Sequence, residues 1–155
     1  MIPPQGTGYF QRFKPPELGH DEVIDMKILV GYDGSAPAKE ALKLARKHAT
    51  VFDATVDVIT SMEEGTGTQL PEIEKAEQGL EWAKSLFAEK NIPCATHLMI
   101  RGLSPGEDLV NFAKENKVDE IIVGVKRRSK VGKLILGSTA QYVILEANCP
   151  VVSVK

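Results

Sequence analysis

Several things are scarce in this chain, and each scarcity excludes something. Of 155 residues only two are cysteine, Cys94 and Cys149, and neither belongs to a CxxC or CxxH cluster. A disulfide scaffold and a structural zinc site are thereby excluded, and two reduced, partly buried thiols are expected. The three histidines, His20, His48 and His97, are scattered without an HExxH pair, and read as surface or helix-end residues. No apolar run approaches the ~20 residues of a membrane helix. The first residues also lack the basic-then-apolar layout of a secretory signal, so the expected location is the cytoplasm. A net charge of −2 gives no whole-chain attraction to nucleic acid or membrane. Aromatics make up only 6% and are not interleaved with the basic residues, which leaves no stacking platform for single strands. Neither GxxxxGK[ST] nor an intact GxGxxG after a strand occurs, and nothing resembles a Ser-His-Asp set, so no obvious general base is offered.

What is present is regular. Residues 1–25 carry four of the nine prolines and read as an extended arm or a loose tail, with Tyr9, Phe10 and Phe13 available for docking. From residue 26 to 155 the pattern is that of one domain. Apolar runs over 27–32, 55–60, 96–100, 119–123 and 150–154 read as buried strands. Between them lie helical stripes: Ala38, Ala41, Leu42, Ala45 and Ala49; then Ile73, Ala76, Leu80, Ala83 and Phe87; then Leu109, Phe112 and Ala113; last Ala140, Val143, Ile144 and Ala147. Ser104-Pro105-Gly106-Glu107 has the form of a capping box with proline at the first helical position. Gly65 to Thr68 reads as a flexible loop. Alternating strands and helices, with strands apolar on both faces, predict a three-layer α/β/α fold around a five-stranded, doubly wound parallel sheet of Rossmann-like type.

Such a sheet takes ligands beyond the carboxyl ends of its strands, where the winding reverses; for order 3-2-1-4-5 that lies between strands one and four. Two segments should meet there. One is Gly31-Tyr32-Asp33-Gly34-Ser35. The other opens at Val123-Gly124, carries five cations and no acid from Lys126 to Lys133, and closes in Gly137-Ser138-Thr139 where a helix starts. A helix N-terminus carries about half a positive charge and suits an anion. Gly137 has no Cβ to obstruct a phosphate. Asp33 either accepts from a ribose hydroxyl or an adenine amino group, or simply forms the turn before Gly34. The basic run is otherwise a solvated loop with Ser138 as a plain helix cap.

These residues resemble the universal stress protein family. Its first strand ends in V-x-x-D-x-S, matched by Val30 to Ser35, and its ATP-binding members carry G-x2-G-x9-G-[S/T]. Gly124 and Gly137-Ser138 match the outer positions, while Arg127 replaces the middle glycine. The resemblance covers residues 27 to 155. It implies sheet order 3-2-1-4-5, a homodimer through the last strand, and ATP or AMP in the crevice, with or without magnesium. Carried over residue by residue, it places Gly31, Tyr32 and Asp33 against adenine and ribose, and Ser61 near adenine. It sets Val123, Gly124 and Lys126 beside ribose and phosphate, with Arg127, Gly137, Ser138 and Thr139 on the phosphates. At most slow hydrolysis is expected. The alternative is a nucleotide-free dimeric interaction module whose basic loop holds a small anion or an acidic partner.

Overall fold

The computed structural model describes residues 25–63, 70–126 and 136–155. All but the last residue of the expected arm, the Gly65–Thr68 loop, and Arg127 with the rest of the basic run to residue 135 lie outside the described residues. The elements are β1 (Lys27–Gly31), α1 (Ala36–Phe52), β2 (Thr55–Ser61), α2 (Leu70–Ala88), β3 (Cys94–Met99), α3 (Pro105–Glu115), β4 (Glu120–Gly124), α4 (Ser138–Glu146) and β5 (Val151–Val154). They form one sheet of order β3-β2-β1-β4-β5 in which every pairing is parallel. This is the fold expected from the sequence. Strand β3 starts two residues earlier than its apolar run, because the Val56 amide donates to Pro93 O at 2.9 Å and brings Cys94 into register with Val56.

Strand alternation sorts the core into two faces. Ile28 and Val30 of β1 and Tyr32 just after it pack with Ala41, Leu42 and Ala45 of α1 and with Leu80, Ala83 and Phe87 of α2. Leu29, Ile121 and Val123 pack with Leu109, Val110 and Ala113 of α3 and with Ala140 and Val143 of α4. Helices α1 and α2 therefore cover one face and α3 and α4 the other. The reversal falls between β1 and β4, where Gly31 pairs in register with Val123.

Two expectations need correction. Ile144 does not face inward; it is 41% exposed, since Ala140 and Val143 alone fill the narrow contact that the nine-residue α4 makes with the sheet. Nor are His48 and His97 free surface residues. His48 Nδ1 lies 2.8 Å from Glu120 Oε2, tying α1 to β4, and His97 Nε2 lies 2.8 Å from Asp57 Oδ1, tying β3 to β2. Both rings are half-buried. Cys94 opens the edge strand β3 and Cys149 precedes the opposite edge strand β5; both are free thiols. Burial pushes the Cys94 thiol up to about 11.

Candidate functional site

Strands β1 and β4 end side by side, and the segments that leave them touch. Gly34, at φ +80°, turns the chain out of β1. Inside that turn Asp33 Oδ1 accepts from the Ser35 amide at 3.0 Å, while Oδ2 lies 2.7 Å from Lys126 Nζ beyond β4. Both side chains of this bridge are about half exposed. Burial acts to raise the Asp33 carboxyl, but the hydrogen bonds from Lys126 and Ser35 outweigh it and hold the group below its ordinary range. Asp33 thus serves the turn and faces the second segment at once.

Beneath this bridge is a cavity of about 140 Å³, some ten times the minimum that one water needs. Of the residues expected from the sequence, Gly31, Tyr32, Asp33, Ser61, Val123, Gly124, Lys126, Gly137, Ser138 and Thr139 all line it. Arg127 is outside the described residues. The two strand-end glycines serve close packing. A Cβ on Gly31 would come within 2.9 Å of Leu109 Cδ1, and one on Gly124 within 2.6 Å of the Pro37 carbonyl carbon and the Ala38 nitrogen.

One end of the cavity is polar. Helix α4 begins there with Gly137 as N-cap, and among the described residues no side chain caps it. Ser138 is the first helical residue, not the cap. Helices α1 and α3 differ: Ser35 Oγ accepts from the Ala38 amide, and Ser104 with Glu107 completes a reciprocal capping box. The first turn of α4, Ser138 to Ala140, lines the cavity with its amide donors unclaimed by any cap. Among the described residues nothing lies within 4 Å of where a Cβ on Gly137 would stand.

The opposite end, beyond β1 toward β2, is apolar and was not legible in the sequence. Ile59, Pro105 and Leu109 form it, with Ser61 as its polar side chain. Ser61 Oγ donates to Asp108 Oδ2 at 2.6 Å. Asp108 is fully buried, and its other oxygen accepts from Arg101 Nε and Nη2 at 3.1 and 2.7 Å. Asp108 looks in sequence like any acid in the first turn of a helix; only the fold brings its partners to it. A second cavity, of about 580 Å³, shares Tyr32, Asp33 and Ser61 with the first and opens toward α2. The ring of Tyr32 packs in the core beside Trp82, the single tryptophan, at 6.2 Å between centroids. Burial, and then the charge of Asp33, raise the Tyr32 phenol above its ordinary value.

The model of the universal stress protein family matches residues 26–155. The chain belongs to this family. A family member from Methanocaldococcus jannaschii is 32% identical over 149 residues, spanning 89% of this chain and 86% of its own. The structure of a universal stress protein from Archaeoglobus fulgidus superposes with a TM-score of 0.76 at 37% identity, over 84% of this chain and 98% of that one. A universal stress protein of the same organism, solved in complex with dAMP, gives a TM-score of 0.71 at 33% identity over the same shares.

Proposed function

We propose that the chain binds an adenine nucleotide, ATP or AMP, across the β1/β4 crevice, and that it acts as a cytoplasmic regulator through occupancy of that site. One observation carries the reading: the uncapped start of α4 and the Asp33–Lys126 bridge share a cavity whose far end is an apolar slot. A nucleotide has the same order of parts. Its phosphates meet the amide donors of Gly137, Ser138 and Thr139 and the positive end of the helix. Lys126 exchanges its partner, leaving Asp33 for a phosphate, and Asp33 then accepts from the ribose hydroxyls. Val123 and Gly124 flank the sugar, and the base enters between Ile59, Pro105 and Leu109. Arg127 adds a guanidinium to the phosphate end. The dAMP complex of the Archaeoglobus relative supports this reading.

Hydrolysis is slow at most. Asp33 is the one carboxylate lining the crevice among the described residues, and with nucleotide bound the Ser35 amide and the ribose hydroxyls engage it. Among the described residues no group of three or more His, Cys, Asp or Glu side chains forms a metal site of its own, so magnesium is tested together with ATP. Titration calorimetry with ATP, ADP and AMP, with and without magnesium, tests the proposal. Binding of AMP and ATP is expected, with a change in Trp82 emission because that ring stands in the cavity next to the site. Folded protein that gives no heat at millimolar nucleotide ends it.

A further inference from the structure

We infer that Ser61, with its hydroxyl orientation fixed by the buried Asp108, reads the six-position of the purine and selects a 6-amino over a 6-oxo base. The inference rests on the nucleotide reading of the same site. Its geometry is independent of that reading.

The phosphate end of the cavity is on the β4 side, at the start of α4. The strand order β2-β1-β4 then puts the base on the β2 side, two strand spacings or roughly 10 Å away. There Ile59, Pro105 and Leu109 are apolar, so among the described residues the polar edge of a base finds one side chain to meet, Ser61. A hydroxyl has one proton to give. Asp108 is sealed from solvent and paired through one oxygen with the Arg101 guanidinium, so it is a carboxylate and an acceptor only. The 2.6 Å contact between Ser61 Oγ and the other oxygen therefore takes the serine proton. What Ser61 presents to the cavity is lone pairs. An exocyclic amino group donates to them; a 6-oxo group meets them acceptor to acceptor, and its oxygen goes unpaired. Leaving a buried polar atom unpaired corresponds to roughly tenfold to hundredfold in affinity.

Asp108 is thus a positioning residue that acts through Ser61. The test compares AMP, IMP and N6,N6-dimethyl-AMP by calorimetry on the full chain and on two variants, Ser61→Ala and Asp108→Asn. The wild type should bind AMP at least tenfold tighter than IMP, and the dimethyl compound, which has no amino proton, should behave like IMP. Ser61→Ala should bring AMP and IMP within threefold of each other. In Asp108→Asn the amide can donate to Ser61 and free its proton for the cavity, so IMP should gain on AMP. That variant keeps a foldable core, because the Arg101 side chain is 46% exposed and can be solvated. A loss of packing alone would weaken all three ligands together and leave their ratio unchanged. Equal binding of AMP and IMP by the wild type overturns the inference, as does an AMP preference that persists in both variants. Failure to bind any of the three removes the nucleotide reading as well, whereas binding without discrimination removes only this one.

Discussion

Two glycines near the crevice mouth do different work, and substitution separates them. Gly124 is a packing glycine: a Cβ there would press within 2.6 Å of backbone atoms of Pro37 and Ala38, which cannot rotate away. Gly124→Ala should cost about 1–3 kcal/mol of stability, read from the urea midpoint. Gly137 is the opposite case. Its φ of −61° and ψ of 154° suit any residue, and no atom of the described residues lies within 4 Å of a Cβ placed on it. Gly137→Val should fold with stability within about 0.5 kcal/mol of the wild type, yet lose AMP affinity by about tenfold, or 1.4 kcal/mol, because the new side chain occupies the phosphate approach. Unchanged AMP binding in that variant would count against the site. At this scale the sequence was readable wherever a residue type implies its own geometry. Asp33 before Gly34, and Gly137 at a helix start, are such cases. It was silent on Asp108, whose meaning comes from Arg101 and from Ser61, 47 positions away. Nothing local marks that residue as different from Glu107 beside it.

At the level of elements, the caps of three helices show how the site differs from the scaffold. On α3 the Glu107 carboxylate accepts from the Ser104 amide and hydroxyl at 2.8 Å, and the Ser104 hydroxyl accepts from the Glu107 amide. Those bonds from Ser104, backbone first and then side chain, hold the Glu107 carboxyl below its ordinary value. A lowered carboxyl stabilises the fold only when ionised. Its contribution is therefore complete above the unfolded value of about 4.3 and is lost as pH falls through the lower folded value. Urea midpoints of wild type and Glu107→Gln should differ at pH 7, and the gap should shrink as the pH falls below the ordinary carboxylate value; a gap that stays constant on acidification would show that the charge is irrelevant. Ser104→Ala should cost about 1 kcal/mol at neutral pH. Among the described residues helix α4 has no such device, which is why the proposed phosphate contacts are put at its start. The capping box and the stripe of α1 were legible because they obey local rules of spacing. Ile144 was misplaced because periodicity counts a helical face without knowing how wide its contact is. The half-buried histidines were misread for a similar reason, since Glu120 and Asp57 reach them only across the folded sheet.

For the molecule as a whole, the sheet order leaves β5 at an edge, with one side unpaired among the described residues. Its backbone amides and carbonyls there are a template for another strand. Beside it α4 exposes three apolar side chains, Tyr142 at 39%, Ile144 at 41% and Leu145 at 71%. A free edge strand next to an apolar strip is what a two-fold interface uses, because the same patch can meet its own copy. We propose that the homodimer implied by the family resemblance forms here, with β5 running against β5 and α4 flanking the joint. Among the described residues no helix is long and apolar enough to cross a membrane, so the strip is not part of a membrane-spanning helix. Sedimentation equilibrium of the full chain should give twice the 16.9 kDa of one copy at micromolar concentration. The double variant Ile144→Glu with Leu145→Glu should shift it to the single-copy mass, since four carboxylates would then crowd a two-fold joint. Both substituted positions are exposed, so each variant copy should keep its urea midpoint apart from what dimerisation itself contributes. A wild type that sediments as one copy, or a double variant that remains paired, would move the interface elsewhere. Nucleotide binding measured on the single-copy variant then decides whether the crevice is complete within one chain, as the convergence of Asp33, Lys126 and the start of α4 within one copy requires.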